Sequence, residues 1–323
     1  MHASAVLLLG MIAPLTAPFD QGTPAPERRA HHALVFDESR QRVLMTGGSS
    51  PREGGQRIVF FSDTWTFDGA RWSRIDSTAA PMSGMRLVVD AARRVRSMGG
   101  FDGEAMNVLR TLVDRTWQLD GSHPNLRAAE PGVAYDLRRQ RMVLFGGSVS
   151  RTTMIGDTWE HDGSRWTRLK IASPPARQAH MMTFDARRSR VVMFGGVGAA
   201  GGKQPPPARG DLWEFDGSQW VERTAAAGPS PRHSAGIAYD SRRGRTVIFG
   251  GIDANGLLGD TWAWDGTRWS QLATAGPPPR AMGYMAYDPR RDRIVLFGGR
   301  LEWPNDAGDT WEFDGDRWQL INP

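Results

Sequence analysis

The sequence predicts an all-β chain, six units of four antiparallel strands closed into a propeller. Three observations carry this. Glycine pairs recur at Gly47-Gly48, Gly99-Gly100, Gly146-Gly147, Gly195-Gly196, Gly250-Gly251 and Gly298-Gly299, spaced 52, 47, 49, 55 and 48 residues apart. A period near 50 marks a propeller rather than a helical solenoid. An apolar run stands before most pairs (RVLMTGG, RMVLFGG, RVVMFGG, RTVIFGG, RIVLFGG), and upstream an aspartate closes a strand at Asp37, Asp90, Asp136, Asp185, Asp240 and Asp288. After a variable loop comes DTWTFDGARW or its kin: DTWEHDGSRW, DLWEFDGSQW, DTWAWDGTRW, DTWEFDGDRW. No apolar pattern of helical period runs to any length.

Each unit reads as four strands in order. The first runs from a Pro/Arg segment to the aspartate, as in PARQAHMMTFD, and a polar loop such as ARRSR leads into the second, which stops at the glycine pair. The third is DTWEFD, and an Asp-Gly tight turn folds it back onto the fourth, RWTRL. Glycines at a strand end admit positive φ or close backbone approach, which suits a blade edge against its neighbour. Trp65, Trp117, Trp159, Trp213, Trp262 and Trp311 read as one position in strand three, and Trp72, Trp166, Trp220, Trp269 and Trp318 as one in strand four. Burying an indole is worth about 4–6 kcal/mol gross, so these read as blade-to-blade packing. Blade two departs from the pattern, with RVRSMGG as its second strand and DGSHPNLRAA where a fourth-strand tryptophan is due.

The glycine pair, the aspartate-tryptophan strand and the downstream tryptophan resemble the kelch repeat, in a bacterial form with FDGxxW hairpins. The likeness covers residues 26–323, with blades near 26–76, 81–127, 128–171, 174–224, 229–273 and 277–321, after a leader and linker over 1–25. It implies six blades around a central channel and does not imply one function. Galactose oxidase shares the fold, but its copper-radical site needs a cysteine crosslinked to tyrosine. This chain has no cysteine and four tyrosines, three of them in the repeated Tyr-Asp position, which rules that activity out in its known form.

The absence of cysteine also excludes disulfides, thiolate metal sites and cysteine nucleophiles. His31, His32, His180 and His233 follow repeat position rather than metal-ligand spacing, so neither metal nor cofactor is expected. Positive charge is nearly all arginine, and a net charge of +5 with interspersed aspartates is only weak evidence for a polyanion partner. No unpaired aromatics interleave with the arginines, so nucleic acid is not expected. An apolar stretch from Ala5 to Leu15 is too short for a stable membrane anchor and resembles a secretory signal. A secreted or periplasmic monomer is the expectation.

Strand alternation sorts the connections onto two faces. The turn face carries ESRQR, AARRVR, LRRQR, ARRSR, SRRGR and PRRDR, either a basic crown for a polyanion or, as their repetition favours, exposed Arg–Asp pairs worth under about 1 kcal/mol each. The loop face carries the inter-blade links and the loops after the glycine pairs, and there the blades differ. Ser49 to Ser62 brings Arg52, Glu53 and Arg57; Val197 to Gly210 brings Lys203 and Arg209. Blade two offers Asp102, Glu104 and Asn107, and blade six Arg300, Glu302, Trp303, Asn305 and Asp306. Trp303 stands outside the repeat positions, and an indole beside carboxylate and amide groups suits either sugar stacking or a loop anchor. The links add Arg29, Arg177, Arg232 and Arg280 at one position, with His32 and His180 three residues on. The kelch resemblance makes these arginines anion contacts; hydrogen bonding to a neighbouring blade is the alternative.

The ligand-binding expectation therefore comprises Arg29, Arg177, Arg232, Arg280, His32, His180, Arg52, Trp303 and Asn305. Three functions compete. The first is a secreted module binding a glycan or protein through the loop face. The second is an enzyme acting on acidic sugars, of epimerase, mutarotase or lyase type, with Glu53, Glu104 and Glu302 as weak acid–base candidates; two of them about 5–10 Å apart would support it. The third is a non-catalytic scaffold.

Overall fold

The computed structural model describes residues 25–75, 82–102, 107–122, 129–150, 153–199, 207–223, 227–272 and 275–322. Within them, six four-stranded antiparallel sheets each follow chain order from the inner to the outer strand. The inner strands are Ala33–Asp37, Arg86–Val89, Gly132–Asp136, Met181–Asp185, Gly236–Asp240 and Tyr284–Asp288. Each packs beside the next, and the sixth packs beside the first, closing the ring. No strand is exchanged between blades.

The glycine pairs make that packing possible. The first glycine of the pair sits at a φ of 57–77° throughout. In five pairs a Cβ there would lie 2.3–2.6 Å from a link carbonyl of the next blade: Met82, Arg177, Arg232, Arg280 or Arg29. The second glycine donates its N–H to that same carbonyl at 2.8–2.9 Å. Only glycine combines this backbone conformation with so close an approach.

Each link arginine then ties the junction from inside. Arg29, Arg177, Arg232 and Arg280 are 0–2% exposed. Each guanidinium forks onto the aspartate that opens its own third strand (Asp63, Asp211, Asp260, Asp309) at 2.5–2.9 Å. It also donates to the carbonyl of its own blade's first pair glycine at 2.9–3.1 Å. Burial alone would raise the carboxyls of Asp63, Asp211 and Asp260, but the arginines outweigh it and hold them below the usual carboxylate range.

The outer layer is knit by tryptophan. Trp72 packs on Phe297 at 5.2 Å, Trp220 on Phe145 at 5.5 Å, Trp269 on Phe194 and Trp318 on Phe249 at 5.1 Å, each reaching into the preceding blade. The indole N–H of Trp72, Trp117, Trp220 and Trp318 donates to Thr310, Thr64, Thr158 and Thr261 at 2.9–3.0 Å. Trp117 is thus a fourth-strand tryptophan, which corrects its assignment to strand three. In blade two the third strand is Val108–Val113 and the fourth Thr116–Ser122. The hairpin turns at Asp114-Arg115 instead of at the Asp-Gly pair, which falls in the fourth strand. Register then puts Arg110 where the sister blades hold the third-strand tryptophan.

On the turn face the structure differs from a set of exposed pairs. The six strand-end aspartates are 0–4% exposed. Each folds back to cap its own turn, as Asp136 and Asp185 do by accepting the backbone N–H three residues on and the side chain of Arg139 or Arg188. The arginines also lie over the Asp-Gly turn of the next blade. A Cβ on Gly217, Gly266, Gly315 or Gly69 would come within 2.3–2.6 Å of Arg139, Arg188, Arg243 or Arg291. These arginines are seated between blades, not held out toward solvent.

Removing one member of a buried ion pair leaves the other unpaired. Arg177→Ala should therefore lower the unfolding free energy by about 3 kcal/mol, whereas Arg165→Ala at an exposed turn should change it by less than about 0.5 kcal/mol. Urea titrations of both variants check the contrast.

Candidate functional site

Two clamps set the geometry of each link. One residue of the link pairs, backbone to backbone, with the residue after its own blade's glycine pair: Ala30 with Ser49, Ser83 with Phe101, Ala129 with Ser148, Gln178 with Val197, His233 with Ile252, Ala281 with Arg300. Links and variable loops therefore share one face. In five of the links the residue before it (Arg29, Met82, Arg177, Arg232 or Arg280) is held by the preceding blade's glycines. The next residue is forced into the left-handed region in every blade: His31, Gly84, Glu130, Ala179, Ser234 and Met282 have φ of 52–68°.

These six positions form a girdle at the channel mouth. The N–H of His31 donates to Met282, Gly84 to His31, Ala179 to Glu130, Ser234 to Ala179 and Met282 to Ser234, at 2.7–3.3 Å. Backbone is shared here, and side chains are not. His31 Nδ1 lies 3.4 Å from Glu130 Oε1, joining blades one and three across the glycine of blade two. Arg86, at the start of blade two's inner strand, donates to the Tyr284 hydroxyl of blade six at 2.5 Å, its guanidinium 5.1 Å from the ring centre. His233 Nδ1 lies 3.0 Å from Ser234 Oγ.

The charges of this cluster are mutually adjusted. Burial would raise the Glu130 carboxyl, but the hydrogen bond and charge of His31, with Arg86 and His233 beyond, hold it down to about 2. Burial lowers His233 against the pull of Glu130, and burial raises the Tyr284 hydroxyl against Arg86. One carboxylate, one guanidinium, two imidazoles and two hydroxyls thus converge from five blades. Such a ring can hydrogen-bond to a polar segment entering the channel.

The residues expected from the sequence fall elsewhere. Arg29, Arg177, Arg232 and Arg280 are buried in the junctions, their forks spent on aspartate and glycine, instead of lining an open pocket. His32 and His180 are core residues, 0% and 2% exposed. His32 sits between Tyr284 and Phe297 at 5.6 and 5.5 Å, and His180 packs on Phe145 at 5.6 Å. Arg52 bonds to Glu27 and Ser50. Glu53 is exposed near the hairpin tip, 3.6 Å from Arg57. Glu302 and Asn305 are exposed in one turn, where the Asn305 N–H donates to the Glu302 carbonyl at 2.8 Å. Trp303 is 52% exposed, with Arg300 4.7 Å above its ring and Gly55 of blade one against its indole. Glu104 and Lys203 lie outside the described residues, as does the Ala5–Leu15 stretch.

The KLHDC2/KLHL20/DRC7 Kelch-repeats domain matches residues 132–323, more than half of the chain. The chain belongs to this Kelch-repeat family. It is similar to Adagio-like protein 3 of Oryza sativa subsp. japonica, at 31% identity over 195 residues, 53% of this chain and 28% of that protein. The alpha chain of the flagellar outer-arm dynein of Chlamydomonas reinhardtii is 30% identical over 160 residues, 43% of this chain and 3% of its own length. Host cell factor 1 of Homo sapiens is 26% identical over 224 residues, 60% of this chain and 11% of its own. This Kelch chain therefore spans less than a third of each of these relatives.

The mouth residues Glu130, Arg86, Tyr284, His31 and His233 were not singled out as a site by sequence. Their signal was there: aligned link by link, one position holds His, Gly, Glu, Ala, Ser and Met, while the position two residues earlier keeps arginine in four blades.

The buried histidines set a pH dependence. Burial first, then the charges of Arg29 and His31 on His32, and of Arg177 and Arg86 on His180, push both well below the ordinary histidine value. The unfolded chain protonates them near pH 6.5, and the folded protein does not. Stability is thus complete above that pH and declines below it, by up to about 1.4 kcal/mol per pH unit for each histidine. Unfolding free energies measured from pH 8 to 5 should fall below pH 6.5, and the double variant His32→Leu/His180→Leu should flatten the decline.

Proposed function

We propose that this Kelch propeller is a protein-binding module whose partner docks on the loop face, over the channel mouth. The observation that carries the reading is the convergence of unlike polar side chains from five blades on one ring of otherwise repeated backbone. Around them the same face exposes Phe101 of blade two, Val149 of blade three and Trp303 of blade six, at 38%, 49% and 52%. Aromatic and apolar anchors beside a polar centre are the composition of a protein interface. In the relatives, too, the similar stretch is a minor part of a much longer chain, as suits a docking module.

A glycan is the second reading, and the half-exposed Trp303 beside Glu302 and Asn305 favours it. The acidic-sugar enzyme has less behind it, because the arginines meant to take the substrate carboxylate are buried. Export rests on the Ala5–Leu15 stretch alone. Among the described residues, no helix is long and apolar enough to cross a membrane.

Random-peptide phage display against the full chain tests the reading. Enriched peptides should bind about tenfold more weakly to Arg86→Ala and to Trp303→Ala, and equally well to Arg165→Ala on the turn face. An absence of enrichment, or binding indifferent to Arg86 and Trp303, defeats it. A glycan-array signal lost in Trp303→Ala and kept in Arg86→Ala would move the assignment to the second reading.

A further inference from the structure

Blade four breaks the repeat at a place the channel mouth does not use. Two residues before the aspartate that opens strand three, blades one, three, five and six carry Phe61, Ile155, Leu258 and Ala307; blade four carries Arg209. The backbone role is identical. Phe61, Ile155, Arg209 and Leu258 each donate to the second glycine of their own pair, at 2.8–2.9 Å. Their carbonyls, like that of Ala307, accept from the next blade's link at 2.9–3.3 Å. An apolar side chain is what this position calls for, since a buried arginine lies next to it: Arg29 is 3.9 Å from the Phe61 ring.

Arg209 instead brings a second cation toward Arg177. Among the described residues its guanidinium makes no hydrogen bond or ion pair, and its Nε is buried without a partner. Burial and the charge of Arg177 weigh against it, only partly offset by the more distant charge of Asp211, which makes no ion pair with it. Buried polar atoms are almost always satisfied, and an exception asks for a missing ion or ligand. A local rule broken without compensation is also how functional positions show themselves in an otherwise consistent sequence.

The surroundings supply the rest of a site. Arg209 lines a groove of about 490 Å³ with Pro175, Pro207, Ala208, Asp211 and Trp213, a size within the range of small-molecule sites; the Asp211 carboxylate is already taken by the fork of Arg177. Glu222 lies directly opposite Trp213 in the strand pair, so the two share a face. In the sister blades that position holds Arg74, Arg168, Gln271 or Leu320. An indole and two prolines make a flat apolar wall, one planar guanidinium can fork onto a carboxylate, and a rim carboxylate opposes any second negative charge. We propose that this groove binds a small organic acid, its single carboxylate on Arg209 and its flat apolar body against Trp213 and the prolines.

Benzoate, benzamide and inorganic phosphate, titrated into the full chain and followed by saturation-transfer NMR and calorimetry, test this. Benzoate should bind saturably and about tenfold or more tightly than benzamide or phosphate, and Arg209→Leu, which installs the residue of blade five, should abolish the difference. In ligand-free melts Arg209→Leu should match or exceed the parent Tm, because an unpartnered cation is removed. Benzamide equalling benzoate, phosphate outcompeting it, absence of benzoate binding, or benzoate binding retained by Arg209→Leu each overturns the proposal. A lowered Tm in that variant does so too, since it would make Arg209 structural.

Discussion

The structure depends on a buried guanidinium. At four of the six blade junctions a link arginine sits wholly out of solvent, a placement that is tolerable only if every donor is met. Meeting them dictates much of the repeat. The aspartate before the third-strand tryptophan is there to receive the fork, and the glycine carbonyl is there to take a further donor. The same link residue offers its own carbonyl to the preceding blade's glycine pair. Three features of the sequence that look separate are thus one knot tying two blades, and the positions that follow along the link inherit their places at the channel mouth from it.

The knot is missing on both sides of blade two. Met82 stands at its entry and Ala128 at the entry to blade three. On the turn face the same seam is bare: a Cβ on Gly163 of blade three would meet nothing within 4 Å, where the corresponding glycines of blades four, five, six and one lie under an arginine. Contacts across the channel add to the ties that remain there, such as Arg40 on the Asp114 carbonyl and Trp117 on Thr64. His31 with Glu130 bridges over blade two, and Arg86 anchors blade two to blade six. The polar cluster proposed to meet a partner is therefore the part of the ring where structural duty passes from the junctions to the channel.

The fold was legible because a propeller writes its architecture six times over, so a single misread copy does no damage. One copy was misread: in blade two Asp-Arg-Thr-Trp imitates the Asp-Thr-Trp motif, and only strand register reveals that Arg110 occupies the third-strand position and Trp117 the fourth. The site was less legible for a physical reason. Arginine beside histidine in a surface link suggests an anion contact, but whether a side chain turns outward or into the junction depends on where its aspartate lies 28–34 residues later. Sequence showed the arginine and the aspartate as separate repeats and did not show that they meet. Glu130 and Arg86 were hidden for the opposite reason. Neither repeats, and their partners His31 and Tyr284 come from non-adjacent blades.

The uneven distribution of knots has a mechanical meaning. Among the described residues, four junctions are cross-braced by arginine on both faces, the junction of blades one and two only on the turn face, through Arg40 on the Asp114 carbonyl and Arg93 beside Glu38, and two struts run from this sector through the centre. Among the described residues the arginine bracing is thus uneven around the ring, sparsest beside blade two, and the side chains that tie that sector across the channel are the ones an arriving partner would touch. A molecule that drew Arg86 or Glu130 to itself would loosen or tighten blade two against an otherwise rigid frame, turning occupancy of the mouth into a small change in the shape of the rim.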